Sequence, residues 1–188
     1  MKNLMKKITL VAIAFLAFSC AKPEDEKTVK SVSIAEIATV TPELSSFVEA
    51  LDLTGLTATF ENEGNNTVFV PNNDAFANML SSMGYGSFED MEADKPGLLA
   101  NILKYHVLPN SRVLSTDLTD GATATTLLGE TITVNIDVDT TTNTDNISIT
   151  DQNDLTGNDS NIIARDIKCS NGTIHLIDNV LLPAPPAD

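Results

Sequence analysis

The spacing of apolar residues changes about halfway along the chain. In the first half it has the period of a helix. Thr41-Pro42-Glu43 places an N-cap residue before a proline at a first helical position, and Leu44, Phe47, Val48 and Leu51 follow at i, i+3, i+4 and i+7. Upstream, Ser33-Ile34-Ala35-Glu36 has the spacing of a capping box, so ordered structure is expected to begin at Ser33 with a short helix. Asn62 to Asn66 breaks the pattern, and Thr67-Val68-Phe69-Val70 reads as a short buried strand stopped by Pro71. Asn72 or Asn73 then caps a helix carrying Ala75, Phe76, Met79 and Leu80, ended by Gly84 and Gly86. A further helix is expected from Pro96 to about Tyr105, with Leu98, Leu99, Ile102 and Leu103 on its apolar side.

From His106 onward the period falls towards two. Val107, Val113 and the stretch from Thr123 to Leu128 are β-like, and Ile132, Val134, Ile136 and Val138 alternate with Thr131, Thr133, Asn135 and Asp137, the pattern of a strand with one buried and one wet face. Ile147-Ser148-Ile149, Ile162 to Ile167 and Thr173 to Ile177 continue it, the last two flanking Ser170-Asn171-Gly172, a strong hairpin signal. Helices first and antiparallel strands later make the class α+β. A chain of 188 residues, 42 % hydrophobic and 20 % charged, fits one globular domain with its own core.

The first residues do not belong to that pattern. Lys2, Lys6 and Lys7 precede an apolar run from Ile8 to Phe18, which gives way at Ser19-Cys20 to the polar Ala21-Lys22-Pro23-Glu24-Asp25-Glu26. The run is too short to span a hydrocarbon core of ~30 Å and reads as an export signal. A cysteine directly after such a run resembles the bacterial lipoprotein signal, although Phe18 stands where a small residue is common and Leu16 lies one position early. The resemblance implies acylation of Cys20, hence a membrane contact through lipid at the outer membrane or cell surface, with the periplasmic face as the alternative. Residues 1–19 are then the signal, 20–32 a charged tether, 33–184 the domain and 185–188 a tail. Glu24-Asp25-Glu26 loosely resembles the acidic surface-export signals of some bacteria.

Charge and cysteine count narrow the functions further. Loss of three lysines with the signal would take the net charge from −15 to −18, with 26 acidic residues in the sequence. Such a surface repels phosphate backbones and anionic headgroups, so no nucleic-acid partner is expected. With Cys20 acylated, Cys169 has no disulfide partner, and the core must hold the fold together alone.

Three stretches carry a family resemblance: Asn66-Thr67-Val68-Phe69-Val70-Pro71-Asn72-Asn73-Asp74-Ala75-Phe76, then Leu103-Lys104-Tyr105-His106-Val107-Leu108-Pro109, then Ser170-Asn171-Gly172-Thr173-Ile174-His175-Leu176-Ile177-Asp178-Asn179-Val180-Leu181-Leu182-Pro183. In this order they resemble the signatures of the fasciclin domain. The resemblance implies helices packed on a wedge-like, mainly antiparallel sheet, and an extracellular adhesion module that binds protein or carbohydrate without catalysis or cofactor. Pro71, Asn73, Asp74, Phe76, Asn171, Gly172, His175 and Asp178 are the fold-signature positions. In animal relatives the Tyr-His element is linked to receptor binding, which makes Tyr105 and His106 the candidate adhesion residues. Their place between Ile102-Leu103 and Val107-Leu108 favours burial instead, with His106 bonded to a buried carboxylate or carbonyl, Asp74 being one candidate.

Other chemistry is thinly supported. His106 and His175 lack metal-ligand spacing, no metal is expected, and no Gly-x-Ser-x-Gly elbow accompanies them. Asp151-Gln152-Asn153-Asp154-Leu155-Thr156-Gly157 offers oxygens to a hard cation but fails the EF-hand template, because Leu155 occupies a ligand position and Gly157 falls one place late. The Asp-, Asn- and Thr-rich loops of residues 137–161 are therefore read as solvated hairpin loops, and with the tip near Gly64 they are places where ligand specificity could reside. The sequons at Asn65, Asn146 and Asn171 carry no function here. Adhesion leads, with a carbohydrate-binding accessory role to an outer-membrane uptake system, a structural envelope protein and a calcium-dependent binder as rivals. The absence of Trp weakens the sugar reading.

Overall fold

A computed structural model describes residues 32–62, 64–139, 144–153 and 159–185. Cys20, the signal, the tether up to residue 31, and the centres of the loops between 137 and 161 lie outside them. Six helices are described: α1 (Ile34–Val40), α2 (Ser45–Thr54), α3 (Thr57–Glu61), α4 (Asn73–Met83), α5 (Phe88–Asp94) and α6 (Leu98–Tyr105). The strands are β1 (Asn66–Pro71), β2 (Val107–Leu108), β3 (Thr123–Thr125), β4 (Thr131–Asp139), β5 (Thr144–Thr150), β6 (Ser160–Cys169) and β7 (Gly172–Ile177). The class is α+β, as the change of period implied.

Local chemistry sets the helix ends. At α1 the Ser33 hydroxyl accepts from the Glu36 amide and the Glu36 carboxylate accepts from the Ser33 amide, completing the capping box. Asn72, not Asn73, caps α4 by accepting from the Ala75 amide, and Gly84 closes that helix with φ 82°. The last helix starts at Leu98, two residues later than Pro96 suggested, because Gly97 at φ 83° turns the chain into it. Two short helices, α3 and α5, have no long apolar period and escape a pattern search. Each buries a phenylalanine, Phe60 and Phe88, which meet Phe47 and Phe76 edge to face at centroid distances of 5.4 Å.

The seven strands form one sheet in the order β2-β1-β7-β6-β5-β4-β3. All described pairings are antiparallel except β1 with β7, which run parallel from Asn66–Gly172 to Pro71–Ile177. The sheet is mainly antiparallel, as expected, but mixed, with its parallel pair one strand in from the β2 edge. A strand from the helical half meets the last strand there, and the crossover between them contains α4 to α6 and β2 to β6. Periodicity gives strand direction only between hairpin neighbours, so this pairing leaves no local signal.

The parallel pair explains the unbroken run Val68-Phe69-Val70. Val68, Val70 and Ile174 face the helices in one apolar cluster, while Phe69 and Ile177 face a second cluster with Tyr105, Leu108, Ile132, Val134, Ile147 and Ile149. A strand buried on both faces has no wet side to alternate with. β4 does alternate, but only Ile132 and Val134 are buried and Val138 is 56 % exposed, so its outer end leaves the core. The β6 register against β7 shifts twice, between Ile162 and Ala164 and between Ala164 and Ile167, and Asp166 takes φ 61° within the irregularity. Thr126 to Gly129 form a turn after β3, and Val113 lies in a connecting loop where a strand was expected.

Candidate functional site

Tyr105, His106, Asn171, Gly172 and His175 lie on or beside the β1–β7 pair. Tyr105 ends α6 with its ring fully buried and its hydroxyl donating to the Thr131 carbonyl at 2.8 Å while accepting from the Gln152 amide at 3.1 Å. Burial pushes this phenol up to about 12. His106, 1 % exposed, has Nδ1 2.7 Å from the Ile102 carbonyl, and its Nε2 accepts from the Leu181 amide at 2.9 Å. One donor and one acceptor define the neutral imidazole protonated at Nδ1. The ring joins the end of α6 to the segment after β7. Its partner is a carbonyl and not Asp74, which lies exposed in the first turn of α4.

Burial holds the His106 pKa down to about 4 and lowers that of His175 as well. In the unfolded chain both imidazoles return towards 6.5, so below that pH the unfolded state binds more protons and the fold loses stability. We expect urea denaturation to show a loss of about 2 kcal/mol between pH 7 and pH 4.5 from His106 alone. A flat profile across this window would place the ring in water.

Asn171 and Gly172 do more than turn the chain. The Asn171 side chain, 1 % exposed, accepts from the Ile34 amide at 3.0 Å and donates to the Phe60 carbonyl at 2.7 Å and the Asn62 carbonyl at 3.1 Å. It therefore fixes the start of α1 and the end of α3 to the β6–β7 hairpin. Gly172 faces Asn66 across the parallel pair so closely that a Cβ would overlap the Asn66 carbonyl oxygen.

His175 is fully buried, stacks on Phe69 at 5.7 Å, accepts from the Asp166 amide at Nδ1 and meets the Val113 carbonyl at Nε2 at 3.1 Å. Ser115 donates to the Asp166 carboxylate at 2.6 Å and its amide does so at 2.7 Å. Burial raises the Asp166 pKa, but these two donors outweigh it and leave the carboxyl below its usual range. Serine, histidine and aspartate thus meet in space, yet the hydroxyl faces the carboxylate and the imidazole faces two backbone groups. A nucleophile–base pair needs the hydroxyl on the imidazole. This cluster clasps the loop before β3 onto the sheet, with help from Thr67, whose hydroxyl donates to the Ser111 carbonyl and accepts from the Val113 amide. Ser115 and Asp166 are 51 residues apart and no motif announces them.

The remaining signature positions have architectural contacts too. Pro71 closes β1, and Phe76 fills the helical core. The Asn73 side chain accepts from the Ser46 amide and donates to the Pro42 carbonyl, so it ties α4 to the start of α2 and does not itself make the turn. Asp178 accepts from the Asn161 amide at 2.7 Å and side chain at 2.9 Å. Cys169 is buried and its thiol is pushed up to about 11, away from reactivity. Asp151 accepts from the amides of Leu182 and Asn153. Among the described residues no three His, Cys, Asp or Glu side chains cluster as metal ligands, and no helix is long and apolar enough to cross a membrane.

The comparisons agree with this layout. A family model described as the fasciclin domain matches residues 42–183. Protein sll1483 of Synechocystis is 30 % identical over 156 residues, covering 83 % of this chain and 76 % of that protein. Human periostin is 32 % identical over 151 residues and mouse stabilin-2 34 % over 117, covering 80 % and 62 % of this chain but only 16 % and 4 % of those much longer proteins. The structure of a FAS1 domain pair from the insect cell adhesion molecule fasciclin I superposes with a TM-score of 0.65 at 17 % identity, over 80 % of this chain and 51 % of that one. From the family model, the relatives and the shared architecture together, this chain belongs to the fasciclin domain family.

Proposed function

We propose that the protein is a non-catalytic adhesion or ligand-binding module held at the cell surface by a lipid on Cys20. The observation that carries this reading is the combination, on one chain, of the Lys-rich, apolar, Ser19-Cys20 leader with a single fasciclin domain. Fasciclin I, whose domain pair shares this fold, is a cell adhesion molecule. The geometry supports a partner bound on the outside: Tyr105 and His106 spend their polar atoms inside the domain, which leaves recognition to loops and exposed faces. A carbohydrate-binding accessory role fits the same fold. It has in its favour an outer sheet face where Asn135, Ser148, Thr150 and Asp159 present polar groups side by side.

Intact-cell protease shaving of the wild type and of Cys20→Ala tests anchor and location together. The expected result is release of domain peptides from wild-type cells and appearance of the intact domain in the medium for the variant. A domain protected in intact cells would replace external adhesion with a periplasmic role.

A further inference from the structure

From Val32 to Asp94 the chain contains no Lys or Arg, although Glu36, Glu43, Glu49, Asp52 and Glu61 all fall within its first half. The layer formed by α1 to α5 is therefore anionic on its own. Within it α1, α2 and α3 enclose an open cavity of about 440 Å³, a size suited to a few side chains. Its apolar lining includes Val32, Val40, Val48 and Leu51, and its rim includes Glu36, Asp52 and Glu61. Val40 is 76 % exposed and Val32 40 %, both large aliphatic side chains left in water beside the opening. Asp52 accepts from the Thr57 hydroxyl and Glu36 from the Ser33 amide, so two of the carboxylates are held in place by the helix ends that frame the groove.

We propose that this groove is a docking site for a partner protein segment in which aliphatic side chains alternate with lysine or arginine. Aliphatic groups would cover Val40, Val48 and Leu51, and the cations would meet Asp52 and Glu61 on the rim. Exposed aliphatic surface supplies affinity, and the single-sign rim supplies selection against acidic partners and a faster encounter. This deepens the adhesion reading by naming the chemistry of the partner, and it rests on that reading only for the partner being a protein.

The test uses the full chain labelled with ¹⁵N, titrated with a peptide of alternating Lys and Leu and, separately, with one of alternating Glu and Leu. The Lys-Leu peptide is expected to shift the amides of Thr39, Val40, Val48, Asp52 and Glu61, and the Glu-Leu peptide to leave them unmoved. The double variant Val40→Asp/Glu61→Lys, altered only at exposed positions, is expected to weaken binding about tenfold. A charge-matched control, Glu89→Gln on α5, raises the net charge by one as the double variant does and is expected to stay within about twofold. Equal weakening by both variants, shifts confined to other faces, or no binding would overturn the proposal. So would tighter binding after Lys27→Ala/Lys30→Ala, since the groove would then belong to the chain's own upstream segment. Failure here leaves the shaving result untouched, and a protected domain in shaving leaves the titration readable.

Discussion

Replacing His106 by leucine is expected to destabilise the domain by about 4 kcal/mol, although leucine suits the apolar surroundings. The imidazole satisfies two buried backbone groups at once, the Ile102 carbonyl and the Leu181 amide. Leu181 is itself fully buried, so its N–H has no route to water once the ring is gone. Each orphaned group costs ~1–3 kcal/mol, and the segment after β7 loses its link to α6. Urea denaturation should show a lower midpoint with an unchanged slope, and the acid-induced loss between pH 7 and pH 4.5 should become shallower, because the titrating group has been removed. A loss below about 1 kcal/mol would mean that the two backbone groups find other partners.

Gly172→Ala is expected to cost about 3 kcal/mol for a single methyl group. The added carbon would collide with the Asn66 carbonyl oxygen, a backbone atom of the neighbouring strand, and would stand 3.0 Å from Ile34 Cδ1. A flexible side chain could swing aside, but here the parallel β1–β7 pair would have to separate at its first register position, Asn66–Gly172. Asn171, one residue earlier, positions α1 and α3 against the same hairpin, so the strain spreads into the helical layer. Hydrogen exchange is expected to accelerate first at Asn66, Thr67 and the start of α1. An alanine variant as stable as the wild type would show that the two strands are not this close in solution.

The helices with a long apolar stripe, the capping box at Ser33 and the hairpin at Asn171-Gly172 were legible because each is set by neighbours within a few residues. What was not legible depends on distant partners. The parallel pairing of β1 with β7 joins Asn66 to Gly172, and α3 and α5 gain their stability from Phe60 and Phe88 packing against rings on other helices. The Asn171 side chain looked like turn chemistry and works as a clamp across more than 100 residues of sequence. The apolar flanks of His106 point to a buried carbonyl or carboxylate partner, and the ring has the carbonyl. Asp74, proposed as the carboxylate, instead sits exposed in the first turn of α4, where an acidic side chain favours the helix dipole. The clasp of Ser115, Asp166 and His175 has the residue types of a catalytic triad in the wrong arrangement, which only coordinates can show.

His106 of the Tyr-His element is scaffold, with both ring nitrogens committed inside the fold. Nitrogen-15 NMR of histidine-labelled protein, followed from pH 7.5 downward, tests it directly. The account predicts that His106 stays neutral with its proton on Nδ1 and titrates only near its lowered value of about 4, where the domain itself begins to give way. A titration near 6.5 with the native spectrum intact would place the ring in solvent and return it to the candidates for direct partner contact.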